Sequence, residues 1–227
     1  MGCDGGTRSA PIFTRAEKGL KMEHLLEVKN LSVTIDGLSG EVQAVRDVSF
    51  SLKKGEVLAI VGESGCGKSV LCKSIMKLLP PSAKIKEGSI CVNGQDITCY
   101  REKEMQKLRG KVFSMIFQDP MTSLNPTIKI GKQIAEAVII HNKNYTKDQV
   151  DQKVLELMEL VGISHPKERY HQYPWQFSGG MRQRCVMAIA LASDPDILFA
   201  DEPTTALDVT IPVSYTHLRA HETAANL

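Results

Sequence analysis

The chain has 227 residues, 42% hydrophobic and 24% charged, enough for one sizeable α/β core or a core plus a subdomain. A net charge of +2 gives no electrostatic case for nucleic acid as a partner. No apolar run approaches the ~20 residues that cross a bilayer, so any membrane association is expected through partner subunits. Cys3, Cys66, Cys72, Cys91, Cys99 and Cys185 show neither C-x-x-C pairing nor metal-ligand spacing and are expected to be reduced thiols.

Residues 1–21 lack the apolar centre of a signal peptide. Gly6 stands where a myristoylation signal needs Ser or Thr, which disfavours lipidation of the Met1-Gly2-Cys3 start. A disordered leader over 1–23, or a true start at Met22, is the expectation. Strand patterns follow over 26–33 and 44–52, and Gly55 breaks the chain. The apolar run 57–61 reads as a buried strand and 70–79 as a helix that Pro80-Pro81 stops. Residues 88–92, then Asn93-Gly94, then 95–97 read as a hairpin with a type I′ turn. A short charged helix is expected over 101–109 and a second buried strand over 111–117. Helices are expected over 128–140, 146–161 and 181–192. Thr146 and Gln149 have capping-box spacing, and Val150, Val154, Leu157, Met158 and Val161 share one face. Residues 197–200 form a last apolar strand, which ends in Asp201-Glu202.

Between the run 57–61 and its following helix lies Gly62-Glu63-Ser64-Gly65-Cys66-Gly67-Lys68-Ser69. Glycines at these positions let consecutive N–H groups point into one hollow, toward which the helix aims its positive end. That is a phosphate-binding loop. Lys68 would reach the β/γ-phosphates of ATP, and the Ser69 hydroxyl would ligate Mg²⁺. Cys66 shares the electropositive setting in which thiols react.

Asp201 and Glu202 at a strand end fit the carboxylate pair that accompanies such a loop. The first would hold the Mg²⁺ shell and the second would polarise the attacking water. Phe177-Ser178-Gly179-Gly180-Met181-Arg182-Gln183-Arg184 precedes a helix. Alone, Ser178-Gly179-Gly180 is no more than a loop with a Ser N-cap. Beside a P-loop it is a second anion hollow, useful if two chains pair head to tail around each ATP.

With these motifs in this order, the chain resembles the ATP-binding subunit of an ABC transporter from about Leu25 to Ile211. The resemblance implies an α/β P-loop NTPase, a RecA-like core with an antiparallel β portion, plus a helical subdomain. It implies that Gly62, Glu63, Ser64, Gly65, Cys66, Gly67, Lys68 and Ser69 are the Walker A loop, and that Gln118 senses the γ-phosphate and Mg²⁺. Asp201 is then a metal ligand and Glu202 the catalytic base. Ser178, Gly179 and Gly180 are the signature motif, and Asp208 belongs to the D-loop of Ala206-Leu207-Asp208. The stretch from Phe117 to Pro126 and the signature resemble the oligopeptide/dipeptide importer branch, D-type ATPase. That implies ATP and Mg²⁺ as cofactors, a second ATPase subunit of F-type, two transmembrane permease subunits, indirectly an extracytoplasmic solute-binding protein, and a place on the cytoplasmic face of the membrane. An importer of nickel or another small solute is the alternative within the branch. The soluble ABC proteins of DNA repair and translation are disfavoured, because the span from Gln118 to Ser178 is too short for coiled coils.

Two places depart from the family. Where many relatives stack adenine on an aromatic residue, this chain has Thr34-Ile35, so adenine is expected on Ile35, Val42 or Val45. Resemblance stops at Ile211, and 213–223 resembles the conceptual translation of a sequencing adapter. The expected organisation is a leader (1–23), a nucleotide-binding core (24–118), a helical subdomain (119–194), a Walker B strand with D-loop (195–211) and a non-native tail (212–227). On that reading the C-terminal part of the core is missing, and the chain as written is expected to have little ATPase activity.

Overall fold

The computed structural model describes residues 24–37, 40–117 and 123–201. The chain divides into two compact units, Met1–Lys107 and Leu108–Leu227. In the first, strands β1 (Leu26–Gly37), β2 (Gly40–Leu52), β3 (Ala83–Val92) and β4 (Gln95–Asp96) form an antiparallel sheet in the order β2-β1-β3-β4. Leu26, Val28, Leu31 and Val33 of β1 are buried with Ile90 and Val92 of β3, and so are Leu71 and Ile75 of helix α1 (Lys68–Ile75). Asn93 and Gly94 have φ of 49° and 74°, the two left-handed residues that the expected type I′ turn requires. Helix α2 (Glu102–Leu108) ends at the division between the units.

Helix α1 stops well before Pro80. Lys77 turns left-handed at φ 51°, and its Nζ donates to the carbonyls of Thr98 (2.6 Å) and Tyr100 (2.7 Å). Burial pushes the Lys77 pKa down, against the pull of Asp96 and Glu104. The larger correction concerns residues 57–61. They form no strand, and Val57 and Val61 are 73% and 92% exposed. A buried strand needs hydrogen-bonded neighbours as well as apolar side chains, and among the described residues no strand pairs with this run.

The second unit holds a parallel pair, β5 (Phe113–Ile116) and β6 (Ile197–Ala200), in the register Phe113↔Ile197 to Ile116↔Ala200. Among the described residues, helices α3 (Ile130–His141), α4 (Lys147–Leu160), α5 (Pro166–Arg169) and α6 (Gly179–Leu191) accompany it. Ile134, Val138, Val154, Met158, Phe177 and Cys185 share their core. The capping box on α4 is formed: Thr146 N donates to Gln149 Oε1 (2.8 Å) and Gln149 N to Thr146 Oγ1 (3.4 Å). Gly131 lies against the Tyr170 ring, where a Cβ would stand 2.4 Å from Cγ, and the Tyr170 hydroxyl donates to Asp151 at 2.6 Å. Cys66, Cys72, Cys91 and Cys185 are free thiols.

Candidate nucleotide-binding site

The loop before α1 is folded around its own lysine. Lys68 Nζ donates to the carbonyls of Gly62 and Glu63, both at 2.7 Å, and stands 3.6 Å from Cys66 Sγ. Cys66 N donates to Glu63 O at 3.3 Å and closes the turn. Two glycines make this possible. Gly67, the N-cap of α1, has φ 96°, and a Cβ there would stand 2.3 Å from Ala44 O of β2. A Cβ on Gly62 would stand 2.6 Å from Cys66 Sγ, inside the cradle that the loop leaves. The cradle, the ammonium group and the N-terminus of α1 together suit a phosphate chain, whose oxygens can replace the two carbonyls as partners of Nζ. Ser69 follows within the first turn of α1.

In the second unit, Ser178 is the N-cap of α6, and its Oγ accepts from Met181 N at 3.3 Å. The helix therefore starts at Gly179, two positions before the run of good helix formers that the sequence suggests. The Cβ position of Gly179 meets nothing within 4 Å, so this end of α6 is open. Arg184, one turn on, ties α6 to the end of α4: its Nη1 donates to Gly162 O (2.7 Å) and Val161 O (3.3 Å). A cavity of about 230 Å³ lies here, lined by Ser164, Ser178, Gly180 and Met181 among others. Asp201 is buried at the end of β6, and its N–H donates to Ile116 O (3.0 Å) at the end of β5. Phe117 and Asp201 thus leave the parallel pair at the same end.

The structure gathers Gly62 to Ser69 in the first unit and places Ser178, Gly179, Gly180 and Asp201 in the second. Gln118, Glu202 and Asp208 lie outside the described residues, as does the tail after Ile211. Three contributors were not singled out from the sequence. The Ala44 carbonyl limits Gly67, the Arg184 guanidinium anchors α6 to the end of α4, and Gln133 holds the loop that precedes α3. Gln133 Oε1 accepts from Asn125 N (2.9 Å), and its Nε2 donates to Asn125 O (3.0 Å) and Ile128 O (2.8 Å). A glutamine on the buried side of an apolar helix was the available signal for the last.

Residues 45–205 match the family model of the ABC transporter. The chain belongs to the ABC transporter family. Among curated members it is 55% identical over 198 residues to the dipeptide transport ATP-binding protein DppD of Lactococcus lactis subsp. cremoris (strain MG1363), covering 87% of this chain and 57% of that protein. It is 56% identical over 193 residues to the oligopeptide transport ATP-binding protein OppD of Bacillus subtilis (strain 168), covering 85% of this chain and 54% of that one. The chain thus spans little more than half the length of these relatives. Among solved structures it superposes on a dimeric ATP-binding cassette in a post-hydrolysis state bound to ADP and Pi, with a TM-score of 0.72 and 27% identity, over 82% of this chain and 77% of that one. The fold is that of the P-loop NTPase cassettes, with the antiparallel portion in place. Among the described residues of this ABC family member, no helix is long and apolar enough to cross a membrane.

Proposed function

We propose that the protein is the ATP-binding and ATP-hydrolysing subunit of an importer for oligopeptides or dipeptides. The observation that carries this is Lys68 folded under its glycine loop, with Nζ 2.7 Å from two loop carbonyls that phosphate oxygens can replace. The identity of 55% to a dipeptide transport ATP-binding protein supports the substrate class. On this reading Lys68 and the loop 62–69 hold the β- and γ-phosphates of ATP. Ser69, Asp201 and Gln118 would hold Mg²⁺, which supplies positive charge against the phosphates when bound. Glu202 takes the proton-accepting role toward the attacking water, and Gln118 senses the γ-phosphate. Ser178, Gly179, Gly180 and Asp208 face the nucleotide of a second ATPase subunit, an F-type paralogue. Two permease subunits carry the solute, an extracytoplasmic binding protein delivers it, and the ATPase sits on the cytoplasmic face of the membrane. Residues 24–118 with 195–211 form the nucleotide-binding core, and 119–194 the helical subdomain.

Two variants and one uptake assay test this. Lys68→Ala should abolish MgATP binding, because it removes the charge that faces the phosphates. Glu202→Gln should keep binding, lower turnover by about two to three orders of magnitude and accumulate an ATP-bound dimer. Normal turnover by Glu202→Gln would remove Glu202 from the base role. Cells that lose the gene should lose uptake of a labelled dipeptide. Loss of nickel uptake with intact peptide uptake would overturn the substrate class.

A further inference from the structure

The segment ahead of α6 sets one aromatic ring in the open. It enters the helix through a single 3₁₀ turn, Pro174–Gln176, closed by Phe177 N donating to Pro174 O at 3.1 Å. Residues three apart lie on one side of such a turn, so Pro174 and Phe177 are buried together. Trp175 and Gln176 are left outside. Gln176 is used locally, its Oε1 accepting from Tyr173 N at 2.8 Å. The Phe177 ring lies under the Arg169 guanidinium, 5.6 Å from its centroid. Trp175 is 67% exposed, yet its ring is held in place. It lies nearly parallel to Tyr173, with 8° between the planes and 6.0 Å between the centroids. Among the described residues no ring or cation covers its other face.

Three residues after this ring stands Ser178, the N-cap of α6, which the reading above places against the nucleotide of a second subunit. Three residues of chain reach at most about 10 Å. An extended nucleoside triphosphate sets its base and its last phosphate a similar distance apart. The P-loop side leaves that base without a ring. Val33 pairs with Val45 and Thr34 with Gln43, so Ala44 has no partner on β1 and bulges from β2. Beyond the bulge this end of the strand pair carries Ile35 and Val42, both aliphatic.

We propose that Trp175 stacks on the base of the nucleotide held by the P-loop of a second copy of the chain, so that two copies close over the base as well as over the phosphates. The proposal rests on the two-subunit reading of Ser178–Gly180 given above. A base has a flat π-face whatever its edges carry, and a pre-set indole offers the matching surface at little cost in side-chain freedom.

Trp175 is the only tryptophan in the chain, so tryptophan emission reports on this ring alone. The test titrates Glu202→Gln protein with MgATP and follows that emission beside dimer formation by analytical ultracentrifugation. Occupancy of the P-loop is read separately, by displacement of the fluorescent analogue mant-ATP. Emission should fall as the ATP-bound dimer forms. Inorganic tripolyphosphate, which carries no base, should displace mant-ATP and leave the emission unchanged. Trp175→Ala should weaken the ATP-bound dimer about a hundredfold, about tenfold for each of the two bases released, with Tm held because the ring is exposed. Trp175→Phe keeps a smaller ring and should recover part of that loss. An ATP-bound dimer with unaltered emission, or one as tight in Trp175→Ala as in the parent, would overturn the stack while the two-subunit reading stands. An equal loss of emission with tripolyphosphate would also overturn it and give the ring to a protein contact. MgATP that displaces mant-ATP without forming a dimer would overturn the two-subunit reading, and the proposal with it.

Discussion

The carbonyl oxygen of Ala44 stands 2.3 Å from the point where a Cβ on Gly67 would be, so β2 and the glycine loop touch through backbone alone. Gly67 also has φ 96°, a region that costs other residues roughly 1–2 kcal/mol. Gly67→Ala should therefore lose mant-ATP binding and lower Tm, because the Ala44 carbonyl can yield only if the bulge of β2 moves. Gly179→Ala is the contrast. Its Cβ meets nothing, and alanine is the better helix former by about 1 kcal/mol, so Tm should hold or rise. Parent-like nucleotide affinity in Gly67→Ala would show that the loop adapts.

Cys66 is exposed, and its Sγ lies 3.6 Å from Lys68 Nζ, in the cradle that a phosphate chain would enter. It should be the fastest of the free thiols to react with iodoacetamide. Saturating MgATP should slow the reaction by about tenfold or more, because the nucleotide both covers Sγ and draws Lys68 away. Labelling followed by peptide mass spectrometry reads the rate, and a rate indifferent to MgATP would place the nucleotide elsewhere.

What could be read from the sequence was what local chemistry decides. Asn93-Gly94 needs two left-handed residues, and Thr146 and Gln149 cap each other over three positions; both came out as expected. The run 57–61 has the composition of a strand but not its structure, because pairing depends on neighbours that composition does not report. The start of α6 was missed because two glycines argue for a loop, whereas the Ser178 cap lets the helix begin there. The P-loop was legible by spacing, yet its seat was not. Ala44 has no signature of its own, and only the register of β1 on β2 shows it as a bulge beneath Gly67.

Tyr170 gives a stability signal at alkaline pH. Burial first, and then its hydrogen bond to Asp151, push the phenol from its ordinary 10.0 up to about 12. The unfolded chain loses this proton before the folded one does. The contribution is therefore complete below about pH 10 and is lost as pH rises toward 12. Urea melts should show stability falling across that window. Tyr170→Phe should fall less steeply there, and at neutral pH should lose about 0.5–1.5 kcal/mol with the hydrogen bond. An unchanged slope would mean that another group governs the alkaline limb.

Helix α6 is tied to α4 through Arg184. Helix α4 ends with Gly162 at φ 75°, Gly162 N bonded to Glu159 O (2.8 Å) and Ile163 N to Met158 O (2.8 Å). That is the Schellman ending, which satisfies two of the last carbonyls. Arg184 Nη1 bonds two further carbonyls, those of Val161 and Gly162, and places a positive charge at the negative end of the α4 dipole. A Cβ on Gly162 would stand 2.3 Å from the same nitrogen, so glycine and arginine fit as a pair. Arg184→Ala should cost about 1.5–3 kcal/mol, the range for a hydrogen bond made by a charged group. It should also free the start of α6, and with it Ser178, from its hold on α4. Because the P-loop lies in the other unit, mant-ATP affinity should stay within about twofold of the parent, while phosphate release per bound ATP falls. Arg184→Lys keeps the charge without the planar fork and should recover part of the stability and part of the turnover. Equal losses of affinity and turnover in Arg184→Ala would point to general unfolding, and unchanged turnover would show that α6 needs no anchor on α4.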